Sequence, residues 1–285
     1  MNESPIQIFD QARRFYTTCN FGSARRLIFQ YRRLVQYDDF QVLRDLSCYS
    51  KTSLSIVVVF HIALPEISRC IDLLIRQTKK LSTGSVEIVI VSNGCNDEEF
   101  CKSMLQSNVS VVLASHNFLP SEGRNIGAYF ARGSLIAFVD SDGLPESGYI
   151  DEIFNGFRGD VVAIRGRVQS TSDEYIPPHY DLGQGSVDVR LNVEGNMAIR
   201  RSVFRGVGGF DPLMYGHEGH DLTDRILKLL PNAQIKYCPD MVLRHEFAVG
   251  SALDAKRQRQ SLGDKYRRWL SERTEAYSLQ RHKQF

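Results

Sequence analysis

The spacing of apolar residues changes character along the chain. Residues 1–50 are polar and arginine-rich, and their apolar positions Phe15, Phe21, Leu27, Ile28, Tyr31 and Leu34 predict one or two amphipathic helices that pack rather than react. From Leu54 the pattern becomes a series of short apolar runs. Leu54–Phe60 is almost continuously apolar and β-branched, as a strand buried on both faces requires. Pro65 opens a helical period through Ile67, Ile71, Leu74 and Ile75. Val86–Val91 reads as a second strand, Asn93-Gly94 as a turn, and Asp97 as an N-cap ahead of Phe100, Met104 and Leu105. Val109–Ala114 is a third strand, Glu122 to Arg132 a helix closed by Gly133, and Leu135–Val139 a fourth strand.

Strand and helix in strict alternation predict an α/β protein with a mostly parallel, Rossmann-like sheet and helices on both faces. Such sheets bind ligands outside the carboxyl ends of their strands, so the loops that start at Phe60, Val91, Ala114 and Val139 are expected to face one cleft. After Gly143 the pattern loosens. Asp160–Val168 and Asn192–Ile199 read as further strands, separated by a polar loop holding Pro177-Pro178 that suits a lid or an acceptor surface. The division expected is a helical extension over 1–50, the sheet domain over 51–250 and a basic helical tail over 251–285, with no internal repeat.

Composition narrows the class. With 42% hydrophobic and 24% charged residues the 285-residue chain is ordinary for a globular protein, and no run of 18 apolar residues offers a membrane span. Met-Asn-Glu-Ser-Pro lacks the profile of a signal peptide, so the expected compartment is the cytoplasm, with contact to the inner face of a membrane left open. Cys19, Cys48, Cys70, Cys95, Cys101 and Cys238 show no CxxC pair, which argues for reduced thiols and against a structural zinc site. A net charge of +2 implies no nucleic acid, but Ser251–Phe285 holds nine Lys/Arg against four Asp/Glu. Leu262, Tyr266 and Trp269 follow i, i+4, i+7 spacing there, with Tyr277 nearby. Two readings stay open: a helix docked by its aromatics, or attachment to an anionic membrane or lipid-diphosphate acceptor.

Three segments carry candidate chemistry. Asp140-Ser141-Asp142 leaves the fourth strand, where residues i and i+2 point the same way and two carboxylates can approach one hard cation bridging a diphosphate. With 19 Asp in the chain about one such pattern arises by chance, so its position after an apolar strand, not the motif itself, gives it weight. His217, Glu218, His220 and Asp221 put four ionisable groups just before a helix, as a general base or as a polar cap with an Asp221–Arg225 ion pair. His245 ends a short apolar run and is able to complete an Asp/His site suited to Mn²⁺ or Mg²⁺.

In this order the motifs resemble the GT-A-fold glycosyltransferases, most closely glycosyltransferase family 2, from about Leu54 to Phe247. Ser55–His61 is similar to the family's opening strand and Val89–Asp97 to its acidic nucleotide loop. Gly123-Arg-Asn-Ile-Gly127, Ala131-Arg-Gly133 and Ile136–Asp142 resemble its "ARNxG…AxGxxIxFLDxD" block. Gly195–Arg201 with Val207–Asp211 resembles "GNMAxRR…GGFD", and Glu218–Arg225 resembles "EDxDLxxR". The resemblance implies a metal-dependent enzyme using a nucleotide-sugar donor, UDP-sugar favoured, and a glycan or lipid-linked acceptor. It implies that Asp140 touches the donor ribose or the metal, that Asp142 and His245 are metal ligands, and that Ser141 lies beside the donor. Arg124 and Asn125 would line the diphosphate and sugar region, Asn93 and Asp97 the base pocket, and Asn196 with Met197 the transferred sugar or acceptor.

Two departures matter. Ser92 stands where the family carries an Asp that grips the base, and Gly219 where many inverting members carry the catalytic Asp. For an inverting transfer Glu218 is then the first candidate base and Asp221 the second, with His217 or His220 as substitutes. A retaining reaction needs no such base. A catalytically silent scaffold of the same fold is the competing class, and a nucleotidyltransferase the third, though Phe60–Leu64 lacks the glycines of its phosphate loop. Acceptor choice is expected to rest on the 170–190 loop, the segment around Glu194 and the basic tail.

Overall fold

The computed structural model describes residues 3–44, 51–81, 85–172, 176–247 and 250–273. The polar N-terminal segment forms two helices, α1 (Pro5–Thr17) and α2 (Phe21–Leu34). Ser4 and Gln7 make a reciprocal capping box at the start of α1, and Asn20 caps α2 through Ser23 N–H. A 3₁₀ turn (Tyr37–Asp39) leads to the short edge strand β1 (Gln41–Val42).

The expected alternation follows: β2 (Leu54–Phe60), α3 (Pro65–Thr78), β3 (Val86–Asn93), α4 (Glu98–Ser103), β4 (Val109–Ala114), α5 (Pro120–Phe130) and β5 (Leu135–Asp140). Asp97 does cap α4, its carboxylate accepting Phe100 N–H at 2.8 Å. Past β5 come β6 (Leu144–Pro145), α6 (Tyr149–Gly156), β7 (Val161–Ser170), β8 (Asn196–Arg200), α7 (Arg201–Gly206), α8 (Glu218–Leu229), β9 (Gln234–His245) and α9 (Gly250–Ser271).

Among the described residues these strands form one sheet in the order β1-β4-β3-β2-β5-β8-β7-β9-β6. β4, β3, β2 and β5 run parallel, whereas β8 is antiparallel to both β5 and β7. The period-2 geometry of the strands sorts their side chains to opposite faces. Ile56, Val58, Ile88 and Ile90 join the core under α3, α4 and α6; Val57, Val89, Val91 and Val112 join the core under α5 and the terminal helices.

The strand expected over Asn192–Ile199 begins only at Asn196. Residues 192–195 leave the sheet through a turn in which Asn196 N–H donates to Val193 O, and they face the cleft instead. The cysteines Cys19, Cys70, Cys95, Cys101 and Cys238 are free thiols, Cys70 and Cys101 buried; Cys48 lies outside the described residues. The C-terminal segment reads as its docked alternative: Tyr266 and Leu270 are buried, and Tyr266 stacks edge-on against Tyr16 at 5.2 Å with Trp269 against Phe21 at 6.1 Å. Tyr277 lies outside the described residues. Within them no helix is long and apolar enough to cross a membrane.

Candidate active site

The sheet's geometry brings the strand ends together at a cleft of about 630 Å³. Phe60, Asn93 and Val139 line it from the parallel strands; of the connection that follows Ala114, Pro120 reaches it. Asp140 ends β5 alongside Val59 of β2. Two residues later the chain turns back, because Leu144 and Pro145 pair with Arg244 and Leu243 of β9. That pairing sets Asp142 against the last residue of β9, and His245 Nε2 lies 3.2 Å from Asp142 Oδ2. One ligand atom each from Asp140, Asp142 and His245 lies within 4.8 Å of the others.

Charge in this corner is mutual. Burial works against a charged His245, but its hydrogen bond to Asp142 and the charges of Asp142 and Asp140 together raise the imidazole above its ordinary value. The same contact overcomes burial at Asp142 and lowers its carboxyl. His245 Nδ1 is buried without a hydrogen-bond partner among the described residues. Two carboxylates and an imidazole with a buried, unsatisfied nitrogen fit a hard divalent cation such as Mn²⁺ or Mg²⁺.

Arg124 ties this corner to the opposite wall. Its Nη2 donates to Asp140 Oδ1 at 2.9 Å and its Nη1 stands 3.6 Å from Glu218 Oε1. Glu218 opens α8, buried to 3% exposure, with Oε2 accepting Gly216 N–H at 2.7 Å. Burial and the neighbouring Glu194 carboxylate push its pKa up to about 8, against the pull of Arg124. Glu194 also lines the cleft and accepts Gly219 N–H at 2.6 Å.

Other residues marked in the sequence sit elsewhere. Asp221 is buried outside the cleft wall, accepting from Arg225 Nε and Nη2 at 2.9 and 2.6 Å, while Arg225 Nη1 holds the carbonyls of Val207 and Gly209. The ion-pair alternative describes it, and it is not positioned as a base. Asn125 is fully buried, bonded to Glu122 and in both directions to the Phe210 backbone, so it holds the Gly-Gly-Phe-Asp turn rather than the diphosphate region. Asn196 is equally buried: it accepts Tyr149 O–H and donates to Arg167 O, joining β8 to β7 and α6 outside the cleft lining. Asp97 is an exposed helix cap outside the cleft lining. Asn93 does line the cleft, but its amide bridges Phe118 N–H and C=O at 3.0 and 2.8 Å. Ser92 is buried and donates to Cys95 O at 2.9 Å. Ser141 lines the cleft between its two aspartates.

His217 and His220 also face the cleft. His217 pairs with Asp264 of α9 at 3.1 Å. Burial and the cations Arg267 and Arg190 lower His220 to about 4, which makes it a weak base. The sequence marked the far wall by region and not by residue: α9 of the basic tail contributes Lys256 and Arg259, and the 170–190 loop contributes His179 and Tyr180. The basic tail was the signal for the first pair, and the polar loop holding Pro177-Pro178 the signal for the second.

Comparison with known proteins agrees with this geometry. The sequence model of Glycosyl transferase family 2 matches residues 55–208. A pre-mycofactocin glycosyltransferase of Mycobacterium tuberculosis is 26% identical over 182 residues, 58% of this chain and 38% of that protein. An uncharacterised glycosyltransferase of Bacillus subtilis, EpsJ, is 29% identical over 140 residues, 46% of this chain and 39% of its own length. The chain thus spans about two fifths of these relatives. Among solved structures, Staphylococcus aureus TarS 1–349 with UDP-GlcNAc superposes with a TM-score of 0.58 at 16% identity, covering 72% of this chain and 61% of that one. GalNAc-T7 with UDP, GalNAc and Mn²⁺ gives 0.58 at 16%, covering 76% and 49%. These likenesses establish the GT-A fold. With its family model covering more than half its length, the chain belongs to glycosyltransferase family 2.

Proposed function

We propose that this chain transfers a glycosyl group from a UDP-sugar to a hydroxyl of a glycan or lipid-linked acceptor, with a divalent cation and with inversion at the anomeric carbon. The observation that carries this reading is the convergence of Asp140, Asp142 and His245 at one end of the cleft, with the buried Glu218 carboxylate across it and Arg124 between. The UDP-GlcNAc bound by TarS and the UDP and Mn²⁺ bound by GalNAc-T7 support the donor and the metal class.

Each side chain then has a task. Asp140, Asp142 and His245 would hold Mn²⁺ or Mg²⁺, which when bound neutralises charge on the departing diphosphate. Arg124 orients Asp140 and adds a fixed positive charge beside it. Lys256 and Arg259 of α9 place two further cations on the opposite rim. Asn93 bounds the region proposed for the nucleotide base. The proton of the attacking hydroxyl goes to a carboxylate of the α8 wall, where Glu218 and Glu194 stand.

The test is thermal stabilisation by UDP with Mn²⁺ in wild type and Asp142→Ala, followed by a screen of UDP-sugars for metal-dependent sugar release. Wild type is expected to gain several degrees and the variant almost none. Equal stabilisation of both proteins would remove the metal triad from the donor site. Stabilisation without sugar release from any donor would favour the catalytically silent scaffold, which the departures at Ser92 and Gly219 motivate.

A further inference from the structure

Position 219 holds glycine where the family pattern carries an aspartate, and the surroundings of this glycine explain how the site is rebuilt. A Cβ at Gly219 would stand 1.2 Å from the carbonyl oxygen of Leu191, a backbone atom that cannot swing aside. No side chain of any kind fits there in this fold. The same Cβ position is 3.0 Å from Glu194 Oε1, and that oxygen accepts Gly219 N–H at 2.6 Å. The loop before β8 therefore packs against the start of α8 and places a carboxylate where the helix itself carries no side chain.

We propose that Glu194 is the catalytic base of this enzyme, delivered from the connection between β7 and β8 in place of the helix-borne aspartate, with Glu218 as its buried neighbour rather than the proton acceptor. This rests on the transferase reading above.

Three observations favour Glu194 over Glu218. First, both residues line the cleft, but Glu194 is half-buried, whereas Glu218 is almost fully buried and bonded to Gly216 N–H. Second, Glu194 accepts a backbone N–H in the first turn of a twelve-residue helix, where free N–H groups and the helix dipole favour negative charge. Third, Gly195 O accepts Asp140 N–H at 3.0 Å, so the residue after Glu194 is fastened to the proposed donor site. Burial, with the neighbouring Glu194 carboxylate second, raises the pKa of Glu218, so the buried residue keeps its proton.

In the reaction the acceptor hydroxyl gives its proton to the Glu194 carboxylate as its oxygen bonds to the anomeric carbon. The bond from that carbon to the diphosphate oxygen breaks, and its electron pair leaves with UDP. Glu194 then returns the proton to solvent.

The experiment uses the full chain with Mn²⁺ and the UDP-sugar that it hydrolyses fastest. Glu194→Ala is expected to lose about 10²–10⁴-fold in sugar release while keeping UDP·Mn²⁺ thermal stabilisation. Azide, a nucleophile with no proton to lose, should restore at least about tenfold of that loss and yield a glycosyl azide of inverted configuration. Glu194→Gln, which retains an acceptor for Gly219 N–H, should show the same loss if the alanine variant folds poorly. Whatever Glu218→Gln loses, azide should not restore it. Glu194→Gln within threefold of wild type, or azide restoring Glu218→Gln but not Glu194→Ala, would overturn the assignment. A wild-type chain with neither UDP·Mn²⁺ stabilisation nor sugar release overturns the transferase reading first, and this one with it.

Discussion

Gly195, like Gly219, sets the shape of the site by what it leaves out. Gly195 packs so closely on β5 that a Cβ there would lie 1.9 Å from the Asp140 carboxyl carbon. A side-chain carboxyl is able to rotate away, so Gly195→Ala should fold, yet with Asp140 turned out of its place beside Asp142 and His245. We expect UDP·Mn²⁺ stabilisation to fall at least about tenfold in apparent affinity, for a stability cost of about 1–3 kcal/mol; an alanine variant that binds normally would show that Asp140 is dispensable for the donor. Glu218 gives a prediction in pH. Its pKa of about 8 lies above the ordinary 4.5, so the folded chain holds a proton that the unfolded chain releases across that interval. Stability from this group is complete below about pH 4.5 and is lost as pH rises towards 8. Glu218→Gln removes the titration, so its unfolding free energy in urea should decline less between pH 5 and 8 than that of wild type, by on the order of 1–3 kcal/mol across the window. Parallel curves would mean that Glu218 stays ionised, with Arg124 outweighing burial.

At the scale of elements, legibility followed burial. β2, β4 and β5 lie within a residue of the runs the pattern marked, because strands buried on both faces need continuous apolar sequence. β9 extends from Gln234, far ahead of the short Val242–His245 run, because Gln234-Ile-Lys-Tyr alternates as an edge-side strand does and reads weakly against a loop. β6 is two residues long and carries no sequence period, yet its pairing with β9 is what sets Asp142 beside His245. The triad itself could be named from the order of motifs because Asp140 and His245 each end an apolar run and Asp142 follows two residues after the first. Asn125, Asn196 and Asp221 belong to equally recognisable motifs, but their polar groups satisfy buried backbone and a buried arginine, and a motif does not say which of its residues bind and which hold the fold. Glu194 was reachable only as a neighbourhood, since the contact between its loop and Gly219 spans 25 positions in sequence.

At the scale of the whole molecule, both terminal segments close over the core beneath the cleft. Arg25 of α2 pairs with Asp211, the aspartate of the Gly-Gly-Phe-Asp turn, and Tyr266 of α9 donates to the same carboxylate at 3.1 Å. All three are buried, so one carboxylate joins the N-terminal helices, the turn before α8 and the C-terminal helix. Glu122 repeats the device for α2, accepting Tyr31 and Tyr37 hydroxyls at 2.7 and 2.6 Å. The consequence is mechanical as well as energetic, since the same α9 carries Lys256 and Arg259 to the rim. Removing one partner of a buried ion pair costs far more than removing a neutral hydrogen bond. Asp211→Asn, which strips the charge facing Arg25, should therefore cost about 3–5 kcal/mol, and Tyr266→Phe about 1 kcal/mol. Chemical denaturation of the two variants decides the point, and nucleotide binding extends it. If α9 is seated through Asp211, the asparagine variant should also bind UDP·Mn²⁺ more weakly at temperatures where it is still folded, because loosening the seat withdraws two cations from the cleft. An Asp211→Asn chain that costs no more than Tyr266→Phe, with UDP binding unchanged, would show that the aromatic contacts of Tyr16, Phe21 and Trp269 hold the helix by themselves.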